Sequence, residues 1–203
     1  MDDKRELIKK FFEGLEIYER TLMGKEIHYV FCKDNAYHEV VLEAKAENYL
    51  HLTGVEYFEG GSRKIKGKEF YKKLKKGKIN KAAFQIPFYS EQKINVLNNL
   101  KSLTSCTGLR VIDEQIVLEK VTLSAGIRTN RMIFCLGLIN TRGDNIFNPC
   151  TLLNLKTDVK GKNFAGGVDV QCIYIVDNQE VKKICRSVDF AIYEKNNTYT
   201  YNP

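Results

Sequence analysis

Three histidines are the side chains in this sequence best suited to exchange protons near neutral pH. His28 and His38 flank the turn Lys33-Asp34-Asn35, and we predict that they face each other across a hairpin as structural residues. His51 has a different context, because it precedes a glycine and lies directly upstream of a basic segment. In an extended strand it shares a face with Thr53. His51 is therefore the candidate for acid–base chemistry, with a structural role as the alternative.

A titratable imidazole beside a surface that attracts phosphate suits RNA cleavage, which requires few groups. A base takes the proton of the ribose 2′-hydroxyl, which attacks the adjacent phosphate, and an acid protonates the departing 5′-oxygen. Lysine or arginine stabilises the charge of the transition state. Nucleotide-binding, zinc-protease and serine-hydrolase motifs are absent from the sequence. We expect neither a metal nor another cofactor.

The positive charge of the chain is concentrated in the segment from Arg63 to Lys81. This segment holds ten basic residues and one acid, so its net charge is 10 − 1 = +9, and the rest of the chain sums to 7 − 9 = −2. Such a local excess attracts a polyanion to one face, so nucleic acid is the expected partner. A solvated lysine-rich helix is the alternative. The ten residues are Arg63, Lys64, Lys66, Lys68, Lys72, Lys73, Lys75, Lys76, Lys78 and Lys81.

The bulk composition predicts a cytoplasmic protein with a core of its own. Of the 203 residues, 43% are hydrophobic, which is enough to form a core. No run of 18 apolar residues is present, so we expect no membrane-spanning segment. The charged N-terminus lacks the apolar centre of a signal peptide. The six cysteines show no C-x-x-C spacing, so we expect buried reduced thiols. They are Cys32, Cys106, Cys135, Cys150, Cys172 and Cys185.

The elements that must position His51 follow from hydrophobic periodicity. Residues 3–22 are predicted as a helix, 27–32 and 37–43 as a hairpin, and 49–55 as a strand that carries His51. Two helices follow, over 68–76 and 90–103, the second capped by Ser90. The predicted C-terminal strands are 115–121, 131–139, 151–155, 168–176 and 183–193, with Asp177-Asn178 as a turn.

This order of elements predicts an α+β fold with N-terminal helices and a twisted, mainly antiparallel sheet. We divide the chain into an N-terminal helix over residues 1–24, an α+β domain over residues 25–195 and a flexible tail over residues 196–203.

Several short motifs in this order resemble one family, the fourth variant of the phage-associated Barnase–EndoU–colicin–RelE-like nuclease domains. The similarity runs from about Ile27 to Tyr193. The motifs are YVF, ENYLHLTGV, FYKKLKKGKI, SEQKINVLNNL, RMIFCLGLI and NPCTLLNLKTDV. The resemblance implies an RNase-like fold and metal-independent RNase activity in phages, prophages and other mobile elements of bacteria.

The resemblance also implies site residues at the matching positions. His51 would be the general base or acid, Thr53 and Thr151 would orient phosphate oxygens, and Lys93 and Lys156 would stabilise the transition state. Each has a structural alternative. Thr53 would cap a turn, and Thr151 would form hydrogen bonds with backbone groups. Lys93 would be a solvated helix residue, and Lys156 would be an exposed lysine on an edge strand that discourages aggregation. In the motif Asn148-Pro149-Cys150-Thr151 (NPCT), the cysteine occupies a position where we expect a polar residue.

Our leading hypothesis is a metal-independent endoribonuclease of a phage or prophage that acts as a toxin or host-takeover effector in the cytoplasm of a bacterial host cell. Its partner would be RNA, with tRNA and mRNA as candidate targets, and an immunity protein or host protein could bind it. No membrane partner is expected. The alternatives are a non-catalytic module on the same fold, which binds nucleic acid or inhibits a host protein, and a structural phage component that self-assembles.

Overall fold

The computed structural model describes residues 3–105, 107–119, 121–140, 143, 145–157, 164–177, 179–197, 199 and 201. The helices are α1 (Lys4–Thr21), α2 (Asn48–Thr53), α3 (Gly67–Lys75), α4 (Phe88–Ile94) and α5 (Val188–Asn196), with 3₁₀ helices at Lys81–Ala83 and Leu97–Thr104. The first strands are β1 (Glu26–Lys33), β2 (Ala36–Glu43), β3 (Glu56–Glu59), β4 (Arg63–Lys64), β5 (Phe84–Gln85) and β6 (Leu109–Ile112). The others are β7 (Ile116–Val117), β8 (Thr122–Leu123), β9 (Ala125–Thr129), β10 (Phe134–Ile139), β11 (Ile146–Asn154), β12 (Val168–Asp177) and β13 (Glu180–Arg186).

The main sheet closes on itself. Its strand order is β1-β2-β11-β10-β9-β6-β12-β13, and β12 also pairs with β1, so seven strands form a closed barrel and β13 extends from it. Neighbouring strands are antiparallel except for a short parallel contact between β2 and β11. The α+β class is confirmed and the sheet is mainly antiparallel, but where we predicted a twisted sheet the strands close into a barrel. Closure is possible because β12 pairs with β6 at its first two residues and with β1 further along.

Helix α1 is part of the same hydrophobic core as the barrel. Its periodic apolar face buries Phe11, Leu15 and Tyr18. The Tyr18 hydroxyl donates to the Lys45 carbonyl at 2.7 Å, and the Tyr49 hydroxyl donates to the Phe11 carbonyl at 2.6 Å. The division into a helix and a domain stays a prediction, but these contacts tie α1 to the segment that carries His51.

The predicted N-terminal hairpin is present as β1 and β2. Asp34 and Asn35 have φ of 51° and 60°, as a two-residue hairpin turn requires. The two flanking histidines do not face each other, contrary to our expectation. His28 lies opposite Val41 in the register, whereas His38 lies opposite Phe31 and stacks on its ring.

Three of the predicted elements differ from the structure. The strand expected at 49–55 is the helix α2, and the helix expected at 90–103 is divided into α4 and the 3₁₀ helix Leu97–Thr104. Ser90 does not cap α4, because Pro87 precedes the helix and Ser90 is buried inside it. The strand expected at 183–193 ends at Arg186, after which α5 begins. Asn178 of the expected turn lies outside the described residues.

The cysteines and the C-terminus also differ in part from expectation. Cys32, Cys135, Cys150 and Cys172 are free thiols, whereas Cys185 is disulfide-bonded. Cys106 lies outside the described residues, as does part of the expected tail. Tyr199 and Tyr201 of that tail pack against the cluster formed by Val30, Cys172, Tyr174 and Phe190. Within the described part of the chain, no helix is long and apolar enough to cross a membrane.

Candidate active site

A cleft of about 820 Å³ lies where α2, the N-terminus of α3, α4 and β11 meet. Its walls therefore come from segments far apart in the sequence. The lining residues are Glu47, Leu50, His51, Gly54, Val55, Glu56, Lys64, Ile65, Lys66, Gly67, Tyr89, Lys93, Val121, Cys150 and Thr151. Three of the five predicted catalytic residues, His51, Lys93 and Thr151, are among them.

His51 lies on the exposed side of α2, with its neighbours turned inward. Tyr49, Leu50 and Leu52 are buried, so the short helix is held by the core rather than by its own length. The helix ends at Gly54, whose φ of 69° is the left-handed conformation of a helix C-cap. Among the described residues no side chain or backbone group makes a hydrogen bond with the His51 imidazole. The ring is free to meet a substrate.

Lys93 and Thr151 form a polar pair in the lining of the same cleft. The Lys93 ammonium donates to Thr151 Oγ1 at 2.8 Å. Thr151 lies opposite Gly137 in the register of the barrel, where a Cβ on the glycine would be 3.0 Å from the threonine methyl. Burial lowers the pKa of Lys93, and the nearby Cys150 partly opposes this effect. A partly desolvated cation beside a hydroxyl is a suitable anchor for a phosphate oxygen.

Cys150 is the cysteine of the NPCT motif, and it lines the cleft. Its thiol is buried and free, and burial raises its pKa, although Lys93 opposes the shift. The departure from the expected polar residue therefore falls at the cleft itself. The thiol gives this wall a less polar surface than an amide would.

The lysine-rich segment borders the cleft through β4 and the start of α3. Lys64 and Lys66 line it, whereas the carboxylates of Glu47 and Glu56 reduce its positive charge. Four of the ten basic residues are paired with acids on neighbouring elements: Arg63 with Glu59 and Glu69, Lys64 with Glu56, Lys73 with Glu59, and Lys75 with Glu19. In the part of the chain that the structure describes, no carboxylate pairs with the other six, which are Lys66, Lys68, Lys72, Lys76, Lys78 and Lys81.

Thr53 and Lys156 do not line the cleft. Thr53 is fully buried at the end of α2, where its hydroxyl donates to the Leu50 carbonyl and accepts from the Val55 amide. Its hydroxyl is already used by the backbone, so its position corresponds to the capping alternative. Lys156 is exposed in the turn after β11, where its amide donates to the Asn154 side chain at 3.1 Å.

Tyr89 lines the cleft and was not predicted as a site residue. The sequence signal that could have indicated it is the aromatic pair Phe88-Tyr89 directly after Pro87, which lies outside the apolar stripe predicted for the following helix. No metal-binding cluster of three His, Cys, Asp or Glu side chains occurs among the residues described.

A match to a protein-family model confirms the resemblance that the motifs suggested. The model of the family described as phage-Barnase-EndoU-ColicinE5/D-RelE like nuclease 4 matches residues 10–199. The chain belongs to this family. The family groups phage-associated nuclease-like domains, which supports a nuclease role and a nucleic-acid substrate. No match was found among curated proteins or among solved structures.

Proposed function

We propose that this phage-nuclease family member is a metal-independent endoribonuclease. The observation that carries the proposal is the meeting of His51, Lys93 and Thr151 at one cleft, although they come from α2, α4 and β11. An imidazole and a cation paired to a hydroxyl, lining one cleft of about 820 Å³, provide groups suited to RNA cleavage.

In the proposed reaction, His51 takes the proton of the ribose 2′-hydroxyl. The 2′-oxygen then attacks the adjacent phosphorus, and the bond from phosphorus to the 5′-oxygen breaks. The departing 5′-oxygen takes a proton from a water molecule, to which the protonated His51 then returns its proton, and the products are a 2′,3′-cyclic phosphate and a 5′-hydroxyl. Lys93 donates to a non-bridging phosphate oxygen, and Thr151 helps to fix its position.

The surrounding charge would hold the RNA backbone. Lys66 at the cleft, together with the exposed lysines of α3 and of the loop after it that pair with no described carboxylate, provides positive charge for phosphates. Because the family is phage-associated, we propose that the substrate is RNA of the bacterial host and that the protein acts as a toxin or host-takeover effector. Recognition by an immunity or host protein stays a prediction.

The test uses total RNA in the presence of EDTA at neutral pH. We expect cleavage by the unchanged protein and a loss of at least about 100-fold with His51→Ala. The matched control is His38→Ala, because His38 is exposed but lies on β2 outside the cleft. No cleavage by the unchanged protein, or equal cleavage by His51→Ala, contradicts the proposal.

A second function has one observation in its favour, the absence of a group that orients His51. General bases are usually held by a second hydrogen bond, and none is formed here by the described residues. A non-catalytic nucleic-acid-binding module would have the same basic surface. It would bind RNA with a steep dependence on salt and would leave the RNA intact in the assay above.

A further inference from the structure

Two aromatic side chains remain exposed beside the cleft. The chain has 22 phenylalanines and tyrosines, and among the described ones Phe88 and Tyr89 are exposed, by 71% and 54%. Leaving an aromatic ring in water forgoes the free energy that burial provides. Both residues lie in the first turn of α4, but Tyr89 lines the cleft and Phe88 does not.

The Tyr89 ring is held in position by contacts on two sides. A Cβ placed on Gly54 would be 2.7 Å from Tyr89 Cε2, so the ring lies directly against the backbone at the end of the His51 helix. The Lys93 ammonium, one helical turn further on, is 5.8 Å from the ring centroid, within the range of a cation–π contact. The ring therefore contacts the end of the helix that carries the proposed base and lies close to the proposed phosphate anchor.

No contact of the tyrosine hydroxyl explains this position. Among the residues that the structure describes, none accepts a hydrogen bond from Tyr89 or donates one to its hydroxyl. Gly54 meets one edge of the ring and Lys93 lies over one face, but the residue is still 54% exposed, so ring surface remains for a planar ligand. Stacking on an aromatic ring is the common way in which proteins bind an unpaired nucleobase.

We propose that Tyr89 forms a stacking subsite for an unpaired nucleobase next to the phosphate bound at Lys93, which makes single-stranded RNA the substrate class. A base in a duplex is already stacked and paired, so it cannot occupy this subsite without being extruded. The inference rests on the proposed function for the identity of the phosphate, but binding at the subsite does not require cleavage.

The experiment measures binding in the His51→Ala background, so that RNA stays intact. The probe is an oligoribonucleotide with 2-aminopurine bases, used alone and annealed to its complement, and both its anisotropy and the fluorescence of the base analogue are recorded. Variants are Tyr89→Leu, Tyr89→Phe and, as the matched control, Phe88→Leu. We expect about tenfold weaker single-strand binding for Tyr89→Leu, with little change for Tyr89→Phe or Phe88→Leu.

The outcomes separate the subsite from the proposed catalysis. Stacking predicts that 2-aminopurine fluorescence is quenched by the parent protein and by the Tyr89→Phe variant but not by Tyr89→Leu, and that duplex binding is equal in all of them. Equal single-strand affinity of Tyr89→Leu and its parent, or no binding of single-stranded RNA by the parent, overturns the subsite. If instead binding depends on the ring while the unchanged protein cleaves no RNA, the subsite stands and the catalytic proposal fails.

Discussion

At the scale of single residues, Lys93 has the most informative environment. It donates to Thr151 and is partly buried, and burial lowers the pKa of its ammonium. A lowered pKa means that the folded state binds this proton less tightly than the unfolded state does. The charged form therefore reduces stability at neutral pH, and the cost disappears as the pH rises through the folded-state pKa toward the unfolded-state value.

Replacing Lys93 with methionine should therefore separate activity from stability. We expect Lys93→Met to reduce RNA cleavage about 100-fold, while the free energy of unfolding stays equal or rises by about 1 kcal/mol. Urea denaturation and a cleavage assay on the same preparation measure both. Lys101→Met, at an exposed position on the 3₁₀ helix outside the cleft, is the control and should change neither. A Lys93→Met protein that cleaves RNA normally would remove Lys93 from the mechanism.

The sequence pointed to His51, Lys93 and Thr151 with different kinds of support. The composition around His51 made it a candidate, whereas the other two were named only through the resemblance. Thr53 was grouped with His51 because alternate residues of a strand share a face. In a helix, the side chains of residues i and i+2 point in different directions. Thr53 is therefore buried while His51 is exposed. One error in secondary structure thus produced one misplaced hydroxyl.

At the scale of elements, α2 and its C-cap set the geometry of one wall of the cleft. The letters YLHLTG alternate as a strand does, but the buried residues 49, 50, 52 and 53 also follow the spacing of a helix. In a run of six residues these patterns cannot be distinguished by periodicity alone. Gly54 is the decisive residue, because its left-handed conformation ends the helix and places the backbone against Tyr89.

Substituting Gly54 with alanine should strain the backbone and displace the Tyr89 ring. The new Cβ would lie 2.7 Å from Tyr89 Cε2 and 2.9 Å from Ser90 Oγ. We expect Gly54→Ala to lower the free energy of unfolding by about 2–3 kcal/mol. The control is Gly60→Ala, where φ is 59° and nothing lies within 4 Å, so backbone strain alone should cost about 1 kcal/mol. If urea denaturation shows the same loss of unfolding free energy for both variants, the contact with Tyr89 does not contribute to it.

At the scale of the whole molecule, the charge that the sequence concentrates in one segment is partly neutralised in space. Glu19, Glu56 and Glu59 come from outside the segment and pair with its basic residues. With these three carboxylates, a local charge of +9 becomes 9 − 3 = +6. The sequence revealed the excess charge, but the pairing depends on tertiary contacts that periodicity does not provide.

This distinction predicts unequal contributions from the lysines to RNA binding. We expect Lys66→Ala to weaken RNA binding and to reduce the slope of log affinity against log salt by about 0.7. Lys75→Ala is the matched control, because its ammonium already lies 3.0 Å from the Glu19 carboxylate, and it should have a smaller effect. A salt titration in the His51→Ala background measures both slopes. Identical slopes for the two variants would contradict the assignment.

A polar cluster around Glu39 connects strands of the barrel with the C-terminal segment. His28 Nδ1 lies 2.9 Å from this carboxylate, and the Tyr174 and Tyr199 hydroxyls donate to it. These groups come from β1, β2, β12 and the C-terminal segment. Burial by itself raises the pKa of Glu39, but the hydrogen bonds from His28, Tyr199 and Tyr174 outweigh it and lower the pKa. The sequence predicted that β1 and β2 would form a hairpin, but nothing in it indicated that β12 and the C-terminal segment would meet this hairpin.

Because the folded-state pKa of Glu39 is lowered, the stability that its ionised form contributes is present above the unfolded-state pKa and is lost as the pH falls through the folded-state pKa. We expect Glu39→Gln to reduce the free energy of unfolding by about 1–2 kcal/mol at pH 7 and to be less sensitive to acid below about pH 4.3. Thermal unfolding as a function of pH measures this effect. Glu13→Gln, at an exposed position on α1, should retain the acid sensitivity of the unchanged protein.

The chemistry proposed for the cleft is tested most directly by the ends of the cleaved RNA. Mass spectrometry would follow a defined oligoribonucleotide after incubation with the protein in EDTA, beside the same oligonucleotide with 2′-deoxyribose at the cleavage position. The proposed attack by the 2′-hydroxyl predicts a 2′,3′-cyclic phosphate and a 5′-hydroxyl from the first substrate, with no cleavage at the deoxy position. Products with a 3′-hydroxyl and a 5′-phosphate, or cleavage of the deoxy substrate at the same rate, would contradict the account.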